Sequence, residues 1–455
     1  MSVSQLKLNP KILHSLIDIK SPSNFETTMR EYIKSIIPSH PKLSIISDRN
    51  TSLAFFLDKG LKKTILIDAH MDEISGQVIA VTDDGFLTVT MTGPLLEYMH
   101  GRPIILFSSK TNTEIKGTMM IQQAHLKDYR DDNEDYYNKK ILYIDIGSSS
   151  KQESLKKLEI GDPFVLDYSY YYLKKHIITS RGLDNKLGVY ILIHLLQYFL
   201  KKNTDLQYNV IFNFTGDEET GKSSVSHFKD MNIQYIVVID TDWSSDMPFL
   251  DETIYGEVSL GKGPVVTRSD EDDGLFSTFK QLSNMHNIPL QVMVPMAGGS
   301  MLSHYIKTYT TSTQFIAVPL RNIHSPVETA NLRDCVQLYQ LMILFLNHSL
   351  DKKGKKDESE SVEEEEEEDK DEEEDEEEDE EKEYEEGKKS KKNKKVEDDN
   401  YEGKNEKKGK KVKKVKKVKK KKRKKINKKD KEVEKDDEEA EAEAVAEEEE
   451  AEAEE

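Results

Sequence analysis

Five short clusters of acidic residues and histidines are spread along the first three quarters of the chain. Side chains of these types can hold two divalent ions about 3.5 to 4 Å apart, with one carboxylate between the ions and another to take a proton from water. We therefore interpret the set as a two-metal hydrolase site. The clusters are Ala-His-Met-Asp-Glu at 69–73, Leu-Asp-Asn-Lys at 183–186, Asp-Glu-Glu at 217–219, Ile-Asp-Thr-Asp at 239–242 and Ile-His-Ser-Pro-Val-Glu at 323–328.

Four of these clusters come directly after apolar runs that are rich in β-branched residues, at 64–67, 210–214, 235–239 and 315–319. Such runs predict short buried strands, and an open α/β sheet builds its site at the carboxyl ends of its strands. The fifth cluster, around Asp184, opens a helical run at 187–200 instead. We expect strand ends and one helix start to meet at the site.

The spacing within two clusters suggests a division of roles. Asp72 follows His70 by two residues, so its carboxylate can accept the free ring N–H of a metal-bound histidine. Glu218 and Glu219 are neighbours at a strand end, where one carboxylate can turn to a metal and the other to a water molecule. The two glutamates are therefore predicted to differ in function.

Simpler structural roles compete with metal binding at each position. Asp184 lies near a helix start, where aspartate commonly caps the helix. Asp240 has a rival in Asp242, two residues further on the same side of an extended strand. The metal site is favoured because all five clusters together occur in the order and in the structural positions that such a site needs. The remaining histidines are expected to be structural or exposed, including His100, His125, His227, His286 and His304.

Further motifs extend the pattern beyond the clusters. They are Ser-Pro-Ser-Asn-Phe-Glu at 21–26, Lys-Gly-Thr at 116–118, His-Leu at 125–126, Asp-Ile-Gly-Ser-Ser-Ser at 145–150, Gly-Asp-Pro at 161–163, Leu-Gly-Lys-Gly-Pro at 260–264 and Gly-Gly-Ser at 298–300. With these motifs the chain resembles the glutamyl and tetrahedral aminopeptidases, a family of dinuclear metallopeptidases that includes proteins labelled cellulase M. The resemblance covers nearly all of the chain before residue 350.

The resemblance implies an aminopeptidase that hydrolyses the N-terminal bond of short peptides through a metal-bound hydroxide. It implies two ligand sets that share one bridging residue: His70, Asp184 and Asp240 for one ion, and Asp184, Glu219 and His324 for the other. Glu218 would be the general base, and Asp72 would orient a ligand. Two divalent ions are expected, zinc first, with cobalt or manganese as alternatives, because histidine and carboxylate ligands suit all three.

Three departures from the family pattern bear on activity. The family's usual Gly-Gly-Thr-Asp-Ala is Gly-Gly-Ser-Met-Leu at 298–302, so Met301 replaces a carboxylate near the site. Lys186 replaces an arginine and therefore offers a point charge instead of a planar fork of donors. Asn322 stands where a tyrosine is usual. None of these removes a metal ligand, and we expect their effects on substrate positioning and specificity.

The chain before residue 350 exceeds one ordinary core, so two domains are predicted. Residues 74–176 are rich in β-branched residues and turn signals, and predict an all-β insertion. In the resembled family this insertion is a small β-barrel that guides homo-oligomer assembly, often to dodecamers. Residues 1–73 and 177–350 would form the catalytic α/β domain, a mixed sheet flanked by helices. The predicted helices include 11–19, 25–37, 187–200, 274–285 and 329–350.

The segment 351–455 consists almost entirely of lysine, glutamate and aspartate, in a chain whose formal net charge is −20. This composition predicts a disordered polyampholyte tail. Its basic block from Lys404 to Lys429 predicts, as a sharper alternative, weak contact with RNA or with a nuclear-import receptor. The block contains no aromatic residue for base stacking.

The single cysteine, Cys335, excludes an internal disulfide framework and favours a reducing compartment. The first 12 residues lack an apolar signal core, and the chain has no run of about 18 apolar residues. We therefore expect a cytoplasmic protein without membrane contact, with the nucleus as the alternative.

Two other functions compete with the peptidase. Glycoside hydrolysis is suggested only by the cellulase label, and that chemistry normally uses a pair of carboxylates that bind no metal. A catalytically weakened oligomeric scaffold, which displays charged tails for RNA or protein binding, is the non-enzymatic alternative. Retention of every expected ligand and of Glu218 favours the enzyme.

Overall fold

The computed structural model describes residues 5–49, 51–91, 98–121, 142–201, 206–221, 225–268, 274–294, 301–348 and 350. Residues 301 and 302 are described by their backbone alone. The chain divides into two units, Met1–Ser359 and Glu360–Glu455, and the described residues all belong to the first. The predicted tail at 351–455 lies outside the described residues.

The described strands are, in chain order, β1 (Leu43–Arg49), β2 (Ser52–Leu57), β3 (Thr64–His70), β4 (Gly76–Val81), β5 (Leu87–Met91), β6 (Pro103–Ser108), β7 (Thr113–Met119), β8 (Leu142–Asp145), β9 (Pro163–Leu166), β10 (Tyr171–Lys174), β11 (Ile177–Ser180), β12 (Asn209–Thr215), β13 (Ile233–Trp243), β14 (Val265–Thr267), β15 (Gln291–Met293), β16 (Ser312–Arg321) and β17 (Glu328–Asn331). The helices are α1 (Pro10–Asp18), α2 (Thr27–Ile36), α3 (Lys151–Lys157), α4 (Leu183–Lys201), α5 (Glu252–Tyr255), α6 (Gly274–His286), α7 (Met301–Thr308) and α8 (Leu332–Asn347). Two 3₁₀ turns lie at Glu218–Thr220 and Val225–Phe228.

One mixed sheet of eleven strands runs through the described part of the chain, in the order β1-β2-β12-β3-β13-β16-β17-β11-β10; β14 also pairs with β16, and β15 pairs with β14. Strands β12, β3, β13 and β16 at its centre are mutually parallel. Every residue of β3 and of β12 is buried, which explains why both sequences are mainly apolar. Parallel order brings the carboxyl ends of these four strands to one edge.

Helices cover one face of the sheet, where α1, α2, α4, α6 and α8 share one apolar core with the strands. Ile65, Ile67 and Ala69 of β3 belong to this core, whereas Leu66 belongs to a smaller core on the other face. That second core contains Tyr305 of α7 and Phe228 of the second 3₁₀ turn. The alternation follows from the two-residue period of a strand and confirms a sheet between two layers.

Strands β4, β5, β8, β7, β6 and β9 close into a barrel with its own apolar core. The predicted α/β fold with a mixed sheet and a β-barrel is therefore confirmed. The barrel strands span residues 76–166, inside the expected insertion at 74–176. Strand β10, at 171–174, pairs instead with β11 of the large sheet.

Two local predictions were wrong. The helix expected at 329–350 begins only at Leu332, because Glu328–Asn331 pairs as β17 with β11 and β16. The Asn331 side chain then caps α8 by accepting the N–H of Arg333. The expected all-β segment contains α3, which Ser150 caps in the same way. In the described ranges, no helix is long and apolar enough to cross a membrane.

Candidate metal centre

The central strands carry most of the expected site residues to one edge of the sheet. His70 ends β3, and Asp240 lies in β13 near its carboxyl end. Glu219 lies in the 3₁₀ turn after β12, and His324 follows β16. Asp184 comes from the first turn of α4, where its own backbone angles are not helical and its peptide bond to Asn185 is cis. Residues distant in sequence are therefore neighbours in the fold.

The first group consists of His70, Asp184 and Asp240. The Nε2 atom of His70 lies 3.1 Å from Oδ1 of Asp184 and 3.4 Å from Oδ1 of Asp240. All three residues are buried, and one ligand atom from each lies within 4.8 Å of the others. Asp242, the sequence rival of Asp240, belongs to neither of the two groups found among the described residues.

The second group consists of Asp184, Glu219 and His324. The Nε2 atom of His324 lies 3.1 Å from Oδ2 of Asp184 and 3.6 Å from Oε2 of Glu219. Asp184 therefore turns one oxygen to each histidine, the arrangement expected of a bridging carboxylate and not of a helix cap. The His324 side chain is 42% exposed while its neighbours are buried, so the site opens to solvent on this side.

The donor set fits divalent cations. Oε1 of Glu219 is buried and has no hydrogen-bond partner, which is costly unless a cation compensates it. Burial and the charge of Asp184 raise the pKa of Glu219 well above its usual value. Burial would also raise the pKa of Asp184, but His324 and His70 hold it well below its usual range. Two imidazoles and three crowded carboxylates are the ligands that zinc, cobalt and manganese accept.

Asp72 connects several parts of the site although it is fully buried. Its Oδ1 accepts the backbone N–H of Glu218 at 3.1 Å, and its Oδ2 accepts that of Glu219 at 3.2 Å. The ring Nδ1 of His70 lies 3.2 Å from the backbone oxygen of Asp72 and 3.4 Å from its Oδ1. The expected contact between His70 and Asp72 is therefore shared between the carbonyl and the carboxylate.

Glu218 lies beside the two groups without joining either. Burial raises its pKa, His70 opposes the rise and the carboxylates of Asp240 and Asp184 add to it, so that the pKa of Glu218 is about 8. A carboxyl group with a pKa in this range can both take and return a proton near neutrality.

Glu328 ends the last of the five clusters and anchors two of the candidate residues. It is 1% exposed, and its two carboxylate oxygens accept the backbone N–H groups of Asp184 at 3.0 Å and of His324 at 3.1 Å. His324 has a positive φ of 56°, a conformation that side chains with a Cβ rarely adopt, so this anchor helps to hold it. The sequence signal for this contact is the spacing, since Glu328 follows His324 by four residues.

The replacement of arginine by Lys186 is accommodated beneath the site. Lys186 is fully buried, and its Nζ donates to Oε1 of Glu73 at 2.9 Å and to the carbonyl of Ile19 at 2.7 Å. Arg181 pairs with the other oxygen of Glu73. Asn322 has a positive φ of 60°. His125 and the Met301 side chain lie outside the described part of the structure.

Residues 54–341 match the model of the M42 glutamyl aminopeptidase family. The chain belongs to this family. The resemblance inferred from the motifs is thereby confirmed, and the protein is a metal-dependent aminopeptidase, a peptide-bond hydrolase.

Relatives of this M42 chain include the lysyl aminopeptidase of Pyrococcus furiosus, 24% identical over 330 residues, which are 71% of this chain and 92% of the relative. The TET1 peptidase of Pyrococcus horikoshii is 28% identical, with 74% of this chain and 98% of that one covered and a TM-score of 0.63. That peptidase can assemble into a tetrahedron or a large octahedral shell. A TET aminopeptidase from a marine sediment archaeon of the Thaumarchaeota is 20% identical, covers 74% of this chain and 96% of its own, and shares the fold with a TM-score of 0.67.

Proposed function

We propose that this M42 protein removes the N-terminal residue from short peptides with the help of two divalent ions. The observation that carries the proposal is the position of Asp184, which presents one carboxylate oxygen to each of two histidines in two overlapping groups. A shared carboxylate is the feature that a pair of adjacent dications requires.

In this proposal, the group of His70, Asp184 and Asp240 would hold the first ion, and the group of Asp184, Glu219 and His324 would hold the second. Zinc is the first choice, with cobalt or manganese as alternatives. When bound, the ions would lower the pKa of water and polarise the carbonyl of the scissile bond.

The chain's own residues would supply proton transfer and orientation. Glu218 would accept the proton of the attacking water at its carboxylate and return it to the nitrogen of the leaving amine, so that the C–N bond breaks with no net change in the glutamate. Asp72 would orient this step, because it holds the backbone of Glu218 and contacts the ring of His70. Retention of this complete set is why we do not adopt the scaffold alternative.

We propose that the protein is also a homo-oligomer. The support is the assembly of the Pyrococcus horikoshii relative into closed shells, together with the presence of the β-barrel that the family resemblance links to assembly. A dodecamer is the expected size. Enclosure of the site in such a shell would restrict substrates to short, unfolded peptides.

The deciding experiment is a metal-reconstituted assay. The purified chain would be stripped with a chelator, reloaded separately with zinc, cobalt or manganese, and tested on a panel of amino-acid p-nitroanilides and on short peptides. We expect no release of the N-terminal residue by the stripped protein and release after loading, with about two ions bound per chain. A chain that binds two ions but cleaves no member of the panel would overturn the proposal.

A further inference from the structure

The segment Ser21–Glu26 lies against the loop that follows β3. The backbone N–H of Ser21 donates to Oε1 of Glu73 at 2.8 Å, and the N–H of Glu73 returns a bond to the carbonyl of Ser21 at 3.0 Å. The N–H of Ser23 donates to the hydroxyl of Ser75 at 3.1 Å. We call this segment the strap, because these contacts fix it across the edge of the sheet where the site lies.

The side chain of Glu26 hydrogen-bonds to a distant segment and not to the helix that it precedes. Glu26 stands at the N-terminal cap position of α2, yet it makes no capping hydrogen bond to that helix. Its Oε1 instead accepts the backbone N–H of Asn24 at 2.9 Å and that of Asp217 at 3.0 Å. Asp217 has a positive φ of 68° and immediately precedes Glu218. The buried Glu26 side chain therefore leaves α2 uncapped and instead binds Asp217, a strained residue 191 positions further along the chain.

A second contact from the strap reaches the same turn. The hydroxyl of Ser23 donates to Oδ2 of Asp72 at 2.7 Å, and Asp72 accepts the backbone N–H groups of Glu218 and Glu219. With Glu26 on Asp217, three successive N–H groups are bound by two buried carboxyl groups. Asp72 accepts a hydrogen bond from Ser23 of the strap, and Glu26 is itself part of the strap.

We infer that Glu26 is a positioning residue, which fixes the turn at Asp217 and thereby aims Glu218 at the reacting centre and Glu219 at the second ion. It touches neither substrate nor ion, and acts only through the backbone of Asp217. For the role of Glu218 the inference rests on the proposed function. The claim that Glu26 holds the turn is independent of the proposed function.

The protonation state of the Glu26 side chain determines which substitution preserves its charge and its hydrogen bonds. Its Oε2 is buried without a hydrogen-bond partner. Burial, with the charge of Asp72, raises the pKa of Glu26 to about 8, against the lowering effect of the bonded backbone N–H groups. The side chain is therefore mostly neutral at pH 7. Glutamine keeps the accepting oxygen and the neutral charge, whereas alanine and aspartate cannot reach Asp217.

Hydrogen exchange of the intact protein tests the contact without any assay of activity. In Glu26→Ala, the peptide that covers 217–221 should exchange at least about tenfold faster than in the wild type, since one hydrogen bond is lost. Glu26→Gln should exchange like the wild type. Glu31→Ala is the matched control, because Glu31 lies on α2 but its side chain is 63% exposed. Unchanged exchange at 217–221 in Glu26→Ala would overturn the inference, whether or not the protein proves to be a peptidase.

Kinetics and metal binding then test the consequence. In Glu26→Ala, kcat should fall about 10-fold to 100-fold with KM nearly unchanged, because a small displacement of a reacting group has effects of this size. Affinity for the second ion should fall about 10-fold to 100-fold. Glu26→Gln should restore both values and the pH profile of kcat. If Glu26→Ala does not fold, Glu26→Asp carries the same tests. Normal kcat and normal ion affinity in a variant with a loosened turn would limit Glu26 to a structural role and overturn its positioning role.

Discussion

Glu218 and Glu219 are adjacent in sequence, yet their surroundings differ. Oε2 of Glu219 lies 3.6 Å from the ring of His324 and Glu219 belongs to the second group, whereas Glu218 belongs to neither group. Both backbones are held by Asp72. Because the anchor is on the backbone, a substitution of either side chain leaves the turn in place. The two carboxylates can therefore be tested separately.

Glu218→Gln should abolish turnover while both ions stay bound. The amide cannot accept a proton, and loss of a general base typically costs about 100-fold to 10,000-fold in rate. Metal content by plasma emission and the rate on a peptide would be measured on the same sample. Glu252→Gln, a substitution of an exposed glutamate in α5, is the control and should be unaffected. A wild-type rate in Glu218→Gln would show that Glu218 is not the general base.

Glu73 predicts a dependence of stability on pH. Burial would raise its pKa, but Arg181 and Lys186 lower it to about 2 from a usual value of 4.5. Because the folded-state pKa is depressed, the stabilising contribution is complete above pH 4.5 and is lost as the pH falls toward 2.

Glu73→Gln should therefore destabilise the protein above pH 4.5, by about 3 to 5 kcal/mol, since it removes the buried partner of Arg181 and Lys186. The difference from the wild type should shrink as the pH falls from 4.5 toward 2. Urea unfolding of the metal-free protein at several pH values measures this difference. A difference that stays constant over that range would contradict the ion pair.

At the level of elements, β17 shows how a short strand can organise the site. Its first residue, Glu328, accepts backbone N–H groups from the start of α4 and from the loop after β16, which carry Asp184 and His324. β17 itself pairs with β11 and β16. The strand therefore fixes the segments of two proposed ligands relative to the sheet.

Glu328→Gln should weaken binding of the second ion about 10-fold to 100-fold, because an amide group offers one oxygen for two N–H donors. Binding of the first ion should change less, since only Asp184 is affected there. Calorimetric titration of the stripped protein with zinc would resolve the two steps, with Glu257→Gln on an exposed loop as the control. Two unaltered affinities would show that the anchor is dispensable.

The elements themselves were largely predictable from the sequence. Strands β3, β12, β13 and β16 are apolar runs buried on both sides, so their pattern is strong. The proposed ligands follow from these strands and from the family motifs. β17 was missed, because the polar sequence Glu-Thr-Ala-Asn does not alternate as a half-buried strand does, and only its pairing with β11 and β16 defines it. The hydrogen bonds of Glu26 and Glu328 were missed because they join segments far apart in sequence.

For the whole molecule, truncation after Leu350 should leave a folded, assembled and active peptidase. Helix α8 ends at Asn347, and the segment 351–455 contains few apolar residues that could pack on a core. Light scattering and the peptidase rate of the truncated protein would be compared with those of the full chain. Dissociation, aggregation or loss of rate would make the tail part of the enzyme.

Two expectations, on the partners of the tail and on the location of the protein, remain predictions. Contact with RNA or an import receptor was assigned to Lys404–Lys429, which lies outside the described residues. The cytoplasmic location was inferred from composition and from the single cysteine. Neither bears on the geometry of the metal centre.

The wide separation of the proposed ligands along the chain has a consequence for biosynthesis. His70 is made early, but His324 and its anchor Glu328 are made more than 250 residues later, so no nascent fragment that stops before β17 contains a complete site. Translation at about 5 to 20 residues per second then needs several more seconds for 351–455. During that interval residues 1–350 are already made, so they can close the sheet and take up their first ions while the chain is still on the ribosome.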